Sequence, residues 1–400
     1  MSVTTIYLVG CSAEKLSGKH RAEELYVSER FKAARMLVRA VDAKWEILSG
    51  KYGLLKPTEL VTSYDQSLEK APASEQAEWS AKVATALRKR HPKICSFVIL
   101  ADAAYYEGWL PEILALGYEI HVPCRNLRGR LIDWISDAMP TSPRRQMLEK
   151  TYAALEPLWA QPTSFLRFAD AKGSGWPSAG LYIFSDPHES RLFSKGAQKI
   201  IRIGTHGVSD GSASTLWQRL KAHKGDLSGL GNHRTSIFRL HVGTALIARD
   251  RLDCPSWGTV TKPDTHQLTQ EEKIERLVSQ YIAELYVSVL PITDVPSKRS
   301  DRAYIEQNLI AIMSGYPAPV ECASDRWLGL HCANLAVRRS SLWNVNHTEE
   351  SFDPGFLATL EFYVDVALGK RPAPVHSIAP PNWYEASQEG FTQSFLFEDT

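Results

Sequence analysis

The chain has 400 residues, of which 44% are hydrophobic and 23% are charged, so it is long enough to bury more than one core. The absence of any run of about 18 apolar residues argues against a membrane-spanning helix, and the start of the chain does not resemble an export signal. Six scattered cysteines without a C-x-x-C pair are typical of reduced thiols. A formal net charge of +1 argues against a general nucleic-acid coat protein. We therefore expect a cytoplasmic protein of two domains with no membrane partner.

The first third of the chain alternates predicted strands with predicted helices. The strands run from Ile6 to Gly10, Trp45 to Leu48, Ser96 to Leu100 and Glu119 to Val122. The helices run from Phe31 to Val41, Glu75 to His91, Ala104 to Leu116 and Arg130 to Ala138. Continuous apolar runs such as residues 97–100 are typical of strands covered on both faces. The pattern therefore predicts a mainly parallel α/β domain over residues 1–140.

A second predicted unit follows a proline-containing break at residues 139–143. A helix from Arg144 to Trp159, within a linker over residues 141–163, is expected to join the first domain to an α+β domain that starts near Ser164 and covers residues 164–369. Its predicted strands are Gly180 to Phe184, Lys199 to Gly204, Ser236 to Val242 and Val287 to Ile292. Its predicted helices are Ser214 to His223, Glu271 to Leu285 and Ser300 to Ser314. Four prolines predict an extended tail over residues 370–400: Pro372, Pro374, Pro380 and Pro381.

Positive charge is concentrated in one part of the second unit. Between Pro187 and Asp250 there are ten lysines and arginines, among them Lys195, and four acidic residues. Such an excess draws phosphates and releases their counterions, although a solvated basic face would have the same composition. The charge therefore permits a nucleic-acid partner without establishing one.

Polar residues follow two predicted strands of the first domain. Because open α/β sheets gather ligands at the carboxyl ends of their strands, we expect these residues to line one crevice. An aromatic ring there could stack on a flipped base, and an acid could assist its excision. Alternatively, Gly50 and Gly53 mark a tight turn, with Tyr52 and Leu54 in the core. The expected pocket residues are Ser12, Lys15, Ser49, Lys51, Tyr52 and Asp65.

These segments carry the patterns C-S-x-x-K and L-S-x-K-Y-G-L-x-x-P. Over about residues 4–137 the chain resembles an uncharacterised bacterial family with these patterns and, more distantly, the YaaA peroxide-stress proteins, which bind DNA. The resemblance implies no settled activity for this domain.

The second unit carries Gly180-Leu181-Tyr182, Arg202-Ile203-Gly204, a helix with Arg219 and His223, and a later helix with Glu306. In this order the motifs resemble those of the GIY-YIG endonucleases. The resemblance implies that Tyr182 acts as general base or positions water, and that Arg219 stabilises the developing charge. It implies that Glu306 holds Mg²⁺ or Mn²⁺. His223 lies one helical turn beyond Arg219, on the same face, where some restriction enzymes of this family have a histidine.

One residue departs from the family pattern, because Arg202 stands where the second motif normally has tyrosine. Arg202 could bind phosphate by a bidentate contact. His206 could take the missing role, or it could be merely exposed in its loop. For Glu306 the alternative to metal binding is an ion pair with Arg302. Further expected DNA contacts are Asn232, His233 and Arg234, and the asparagine that the family places near its metal would be Asn308, Asn334 or Asn344.

The sequence thus predicts a metal-dependent DNA endonuclease of the restriction or phage-defence type. Its N-terminal domain would recognise a modified base of phage DNA, and in one version of the hypothesis it would also excise that base. A homodimer would cut both strands. Two alternatives stay open: a glycosylase coupled to abasic-site cleavage, and a DNA-binding protein with a decayed nuclease. RNA is a further substrate class. Cys322, His331 and Cys332 form either a zinc site or ordinary packing.

Overall fold

The computed structural model describes residues 4–125, 130–161, 165–194, 196–226 and 228–374. Several sequence predictions lie outside these residues: Ser164 as the start of the second domain, Lys195 of the basic segment, and the tail beyond residue 374 with Pro380 and Pro381. Within the described ranges, no helix combines the length and apolar character needed to cross a bilayer.

The N-terminal part is built around a five-stranded sheet with the order β4-β3-β1-β6-β7. β1 is parallel to β3 and to β6, β6 is parallel to β7, and only β4 runs antiparallel to its neighbour. The predicted mainly parallel α/β sheet is therefore confirmed. The elements are β1 (Thr5–Gly10), β2 (Lys19–Arg21), α1 (Ala22–Leu25), α2 (Glu29–Ala40), β3 (Lys44–Ser49), β4 (Gly53–Leu55), β5 (Leu60–Thr62), α3 (Ala73–Arg90), β6 (Ser96–Leu100), α4 (Leu110–Ala115), β7 (Glu119–His121) and α5 (Leu131–Ala138).

Burial on both faces explains the apolar runs of this sheet, since every residue of β6 is buried. One helix prediction was too long. The segment expected to be helical from Ala104 to Leu116 contains a short 3-10 turn and then only α4. Gly108 lies between them and disfavours a helix interior. A methyl group at Gly108 would fall 2.3 Å from Oγ of Ser80, so this loop packs tightly against α3.

The C-terminal part contains a four-stranded antiparallel sheet with the order β10-β9-β11-β8. Helices cover both of its faces, as expected for the predicted α+β unit. The elements are α6 (Pro143–Trp159), β8 (Phe165–Arg167), β9 (Gly180–Ser190), β10 (Gln198–Gly204), α7 (Leu216–Lys224), α8 (Ile237–Asp250), α9 (Thr265–Glu284), β11 (Tyr286–Pro291), α10 (Asp301–Ser314), α11 (Leu335–Ser340) and α12 (Phe356–Ala367).

Alternate residues of β9 enter two different cores, as the period of a strand requires. Leu181 and Ile183 pack with residues of α6, α10 and α12, whereas Tyr182 and Phe184 pack with residues of α7, α8 and α9. The helix that we expected to join two domains, α6, thus also buries its apolar face against the second sheet. The strand β9 brings Tyr182 to the face that carries α7.

The predicted strand from Ser236 to Val242 was wrong, because these residues begin α8. Ile237, Phe238 and Val242 favour strands in isolation. However, Phe238, Val242, Ala245 and Leu246 are buried at helical spacing. Ser236 caps the helix by accepting the backbone N–H of Arg239 at 3.2 Å, which is the start signal that the strand-like composition obscured.

The cysteines expected either to bind zinc or to pack belong to apolar clusters. Cys322 packs with the N-terminal core, Cys332 packs with residues of the second sheet, and His331 is exposed. In the described ranges, no group of three or more metal-ligating side chains is assembled. Ordinary packing therefore accounts for both buried thiols.

Candidate active site

The phenol of Tyr182 lies where β9 passes β10. Tyr182 pairs with Gly204, the last residue of β10. A Cβ atom at Gly204 would fall 2.2 Å from the Tyr182 hydroxyl oxygen, so only glycine leaves room for the phenol. The second motif therefore needs glycine at position 204, because any side chain there would collide with Tyr182 of the first motif.

A chain of hydrogen bonds runs from this phenol into the protein. The Tyr182 oxygen lies 2.9 Å from Nε2 of His223, and Nδ1 of His223 lies 2.7 Å from Oγ of Ser236. Arg202 donates to the phenol oxygen at 3.5 Å. In the tautomer of His223 whose Nε2 accepts the phenol hydrogen, Nδ1 carries the ring hydrogen and donates it to Ser236.

The imidazole of His223 is held neutral. It is fully buried on α7, whose first turn is fixed by a capping box between Thr215 and Gln218. Burial lowers the pKa of His223 well below its ordinary value, and the positive charges of Arg202, Arg219 and Arg239 lower it further. A neutral ring can accept the phenol hydrogen at Nε2.

His206 is buried, so the alternative in which it is merely exposed in its loop was wrong. Its Nδ1 lies 3.5 Å from Oγ of Ser214. Burial lowers the pKa of His206 to about 4, and the charges of Arg302 and Arg219 act in the same direction. The ring therefore lies near the helix arginine Arg219 and is neutral at pH 7.

The arginine that replaces the usual tyrosine points inward. Arg202 is 5% exposed, and its Nη1 donates to the carbonyl oxygen of Trp343 at 2.6 Å. Its guanidinium carbon lies 4.7 Å from the centre of the Phe238 ring. Arg202 thus orients the Tyr182 phenol while protein groups occupy part of its hydrogen-bonding capacity.

Glu306 comes to the same region from α10. Its Oε1 accepts the backbone N–H of Thr205, one residue beyond Gly204, at 3.0 Å. Burial raises the pKa of this carboxyl group, while the Thr205 bond and the charges of His347, Arg202 and Arg219 oppose the rise.

The alternative ion pair between Glu306 and Arg302 does not form. Arg302 instead pairs with Asp294 at 3.0 Å and donates to the carbonyl oxygen of Gly207. The Glu306 carboxylate instead bonds the backbone of Thr205 and interacts electrostatically with Arg202 and Arg219.

The donor chemistry of Glu306 suits a hard divalent cation. Mg²⁺ is commonly held through one or two carboxylates, with water completing its coordination. With Oε1 engaged by Thr205, Oε2 provides the second carboxylate oxygen, and no larger cluster of ligating side chains occurs in the described residues. The residues present thus fit a metal bound through a single protein carboxylate.

The three candidate asparagines all hold the backbone. Asn344 donates to the carbonyl oxygen of Ile203 at 2.7 Å and accepts its N–H at 3.1 Å. Asn308 donates to Tyr304 and accepts from Asp353, and Asn334 caps α11. Of the three, Asn344 is bound to the strand that leads to the site.

The segment expected to contact DNA is anchored largely to α9. His233 lies 3.0 Å from Oε1 of Glu275 and stacks on Trp257 at 3.9 Å between ring centres. Arg234 donates at 2.8 Å to both carboxylate oxygens of Glu271. The remaining member, Asn232, is exposed and accepts the N–H of Arg234.

The expected N-terminal pocket is assembled in part. Ser49 is fully buried, Lys15 and Lys51 lie over the ring of Tyr64, and Tyr52 meets that ring edge to face. The two remaining members are Ser12, whose hydroxyl donates to Glu14 within its own loop, and Asp65, which is exposed.

The alternative prediction of a tight turn, with Tyr52 and Leu54 in the core, agrees with the structure at Gly53 and Leu54. Gly53 has a positive φ of 74°, and Leu54 is buried. Tyr52, by contrast, is only half-buried, so it does not belong wholly to the core.

Sequence reasoning missed Ser236, Thr205, Trp343 and His347 as neighbours of the site. Ser236 could have been found as a helix N-cap. Thr205 and Trp343 contribute backbone atoms, for which side-chain identity gives no signal. His347 follows Asn344 by three residues and acts on Glu306 only through the fold.

An antiparallel sheet and its covering helices bring together a buried tyrosine and histidine, arginines and a carboxylate, which are groups suited to phosphodiester hydrolysis. The family model described as GIY-YIG domain matches residues 142–368, and the model of a family of unknown function, DUF6884, matches residues 6–137. The chain belongs to the GIY-YIG family, and its C-terminal part is a nuclease domain. The resemblance of the C-terminal part to the GIY-YIG family and that of the N-terminal part to an uncharacterised family are thereby confirmed. Comparison with curated protein sequences gives no match.

Proposed function

We propose that the chain is a metal-dependent DNA endonuclease in which Tyr182 and His223 together activate the attacking water. The observation that carries this proposal is the hydrogen-bonded chain from Tyr182 through His223 to Ser236. It lies where Glu306 and Arg219 also act electrostatically on one another. A proton relay, a base, a cationic group and a metal ligand are thus supplied by one region.

The phenol relays a proton. As the water attacks phosphorus, it passes a proton to the oxygen of Tyr182, and the phenol hydrogen moves to Nε2 of His223. The bond from Arg202 keeps a lone pair of the phenol oriented, and Ser236 holds the ring of His223.

Substrate binding favours this transfer. Burial is the main cause of the lowered pKa of His223, and the negative phosphate offsets the arginine charges that lower this pKa further.

The developing negative charge is met by Arg219, whose charge reaches Glu306, His223 and His206. Glu306 holds the divalent cation, and Mg²⁺ and Mn²⁺ are the candidates. When bound, such a cation polarises a phosphoryl oxygen as a Lewis acid.

We further propose a restriction role against modified phage DNA, with the N-terminal domain recognising the modified base. Support comes from the fusion of a second site to the nuclease in one chain, and from the basic character of residues 187–250. Asp65, the acid expected to assist base excision, is exposed and contributes nothing to the buried part of the N-terminal site. Recognition without excision is therefore the proposed role.

Cutting of both strands would require two sites, so we propose a homodimer as the form that makes double-strand breaks. Size-exclusion chromatography with light scattering, with and without DNA, tests the oligomeric state. A monomer that only nicks its substrate would contradict this part of the proposal.

The nuclease is tested by incubating supercoiled plasmid and hypermodified phage DNA with Mg²⁺ or Mn²⁺. We compare the unaltered chain with Glu306→Gln and Arg219→Ala. Cutting by the unaltered chain alone supports the proposed site, and a preference for the modified DNA supports the restriction role. Equal cutting by all three proteins would contradict the proposed active site. Binding that survives chelator, with no cutting of any DNA or RNA, would instead favour a decayed nuclease.

A further inference from the structure

The N-terminal sheet has a point where its connections change direction. From β1 the chain proceeds to β3 on one side, and it later crosses to β6 on the other side. In open α/β sheets, ligands bind outside the carboxyl ends of strands at such a point. Cys11 directly follows β1 at this place, where β1 and β6 approach so closely that a Cβ on Gly10 would lie 2.9 Å from the Cβ of Ala101.

Buried hydroxyl and thiol groups meet at these strand ends. Oγ of Ser49 lies 2.8 Å from the hydroxyl of Tyr64 and 3.1 Å from that of Tyr26. The Tyr64 hydroxyl also contacts Sγ of Cys11 at 3.6 Å, and Cys11 in turn donates to the Tyr105 hydroxyl at 3.4 Å. One continuous set of neutral polar groups therefore joins the ends of β1 and β3.

These phenols stay protonated around neutral pH. Burial raises the pKa of Tyr26 to about 12, and it also raises the pKa of Tyr64 and of Tyr105. The floor of the site thus offers hydrogen-bond donors and acceptors without negative charge.

Two ammonium groups stand over this floor. Nζ of Lys15 lies 4.3 Å and Nζ of Lys51 lies 5.9 Å from the centre of the Tyr64 ring. Within the described residues, neither lysine forms an ion pair. Like charges held over one ring repel each other, and an anion between them would relieve the repulsion.

An aromatic face completes the arrangement. Tyr52 is half-buried, its ring meets Tyr64 edge to face with 5.4 Å between ring centres, and its hydroxyl is fixed by the carbonyl oxygen of Thr62. Nζ of Lys51 also lies 5.3 Å from the centre of this ring, so a planar group that stacks on Tyr52 takes the opposite face or displaces the ammonium group.

We propose that this site binds a nucleoside phosphate, with the phosphate group between Lys15 and Lys51 and the base against Tyr52. The proposal deepens the recognition role suggested above and rests on it for the link to DNA. A free nucleotide and a nucleotide of a DNA strand share this chemistry, so the experiment separates them.

The experiment uses the full chain with Glu306→Gln, so that strands stay intact during titration. Calorimetry measures binding of deoxynucleoside monophosphates, short single-stranded oligonucleotides and inorganic phosphate. We expect Lys15→Met and Lys51→Met each to weaken nucleotide binding at least about tenfold. Tyr52→Leu should weaken nucleotide binding towards that of inorganic phosphate, because stacking of the base on the ring is lost.

Lys89→Met is the matched control, because Lys89 is an exposed lysine in the last turn of α3 and should leave affinity unchanged. Thermal unfolding of each variant identifies those that fail to fold, and for them Lys→Gln variants, which also lack the charge, are substituted. Tighter binding of mononucleotides assigns the site to free nucleotides, and tighter binding of oligonucleotides assigns it to a strand.

The proposal is overturned if no nucleoside phosphate binds. It is also overturned if Lys89→Met loses as much nucleotide affinity as Lys15→Met and Lys51→Met, or if inorganic phosphate binds as tightly as every nucleotide. Plasmid cleavage by the unaltered chain is measured separately. The nuclease proposal can therefore fail or succeed independently of this site.

Discussion

The phenol oxygen of Tyr182 and Nε2 of His223 are 2.9 Å apart, within the distance for direct proton transfer. The two residues are 41 positions apart in the chain, and β9 and α7 bring them together. The proposed proton relay depends on this contact.

Tyr182→Phe keeps the ring but removes the hydroxyl, and His223→Gln removes the proton acceptor. We expect each to lower the single-turnover rate of plasmid cleavage by about 10² to 10⁴-fold, since this is the usual contribution of general acid–base catalysis. Tyr152→Phe is the control, because it also removes a buried hydroxyl from this domain. It should cost about 1 kcal/mol of stability and preserve cutting. A Tyr182→Phe enzyme with the unaltered rate would contradict the relay.

Glu306→Gln preserves the shape of the side chain and the oxygen that accepts the Thr205 N–H. It removes the charge, so we expect Mn²⁺ affinity to fall by more than tenfold and cleavage to be lost. Electron paramagnetic resonance of free Mn²⁺ measures the affinity directly. Glu349→Gln alters an exposed carboxylate and should change neither quantity. Unchanged Mn²⁺ binding in Glu306→Gln would show that the cation is held elsewhere.

Arg202→Lys keeps a positive charge but loses the planar group that reaches both Trp343 and Tyr182. We expect a drop in cleavage rate of about tenfold or more, together with a loss of about 1–3 kcal/mol in stability, because a buried carbonyl loses its charged donor. Chemical denaturation and single-turnover kinetics measure the two effects. Arg202→Tyr restores the family residue, and if it proves more active than the unaltered chain, the proposed role of Arg202 is wrong.

Gly204→Ala would place a methyl group 2.2 Å from the Tyr182 oxygen. The phenol must move, so we expect a loss of about 1–3 kcal/mol in stability and a large loss of cleavage. Gly173→Ala is the comparison, since a methyl group there would make only ordinary contact with Trp217 at 3.4 Å. If Gly204→Ala and Gly173→Ala behave alike, the close fit between strand and phenol is not required.

Buried neutral histidines predict a loss of stability in mild acid. The pKa of His206 and of His241 is lowered to about 4, mainly by burial, whereas an unfolded histidine takes up its proton near pH 6.5. The unfolded state then binds more protons than the folded state between these values, so the free energy of unfolding should fall as the pH drops from about 6.5 to 4.

Each of these two histidines should contribute on the order of 1–3 kcal/mol across that range. Urea unfolding at a series of pH values measures the slope, and His241→Gln should reduce it. An identical slope in the variant would show that His241 is not the group responsible.

The sequence was sufficient for the main elements and for naming Tyr182, His223 and Glu306, of which Tyr182 and His223 are in direct contact in the structure. Strand and helix periods are local properties, and the order of the motifs identified which side chains to expect together. The character of the Ser236 segment was not predictable in the same way. Ile237 and Phe238 favour a strand locally, and the helix is selected by burial against residues far along the chain.

The hydrogen-bond partners of the site residues also could not be predicted from the sequence. Arg202 donates to a backbone oxygen of Trp343, and Glu306 accepts from a backbone nitrogen of Thr205. Any residue except proline offers these backbone groups, so no pattern of side chains marks them. The burial of His206 likewise depends on how its loop folds back, which local composition does not determine.

Asn344 has a consequence for how the molecule meets other chains. Its amide bonds both backbone groups of Ile203, and the N–H of Trp343 bonds the carbonyl oxygen of Ile201. The outer border of β10 is thus occupied by the protein's own backbone and amide groups, which denies that border to strands of neighbouring molecules. Self-association by strand addition is therefore blocked along this border, close to Tyr182.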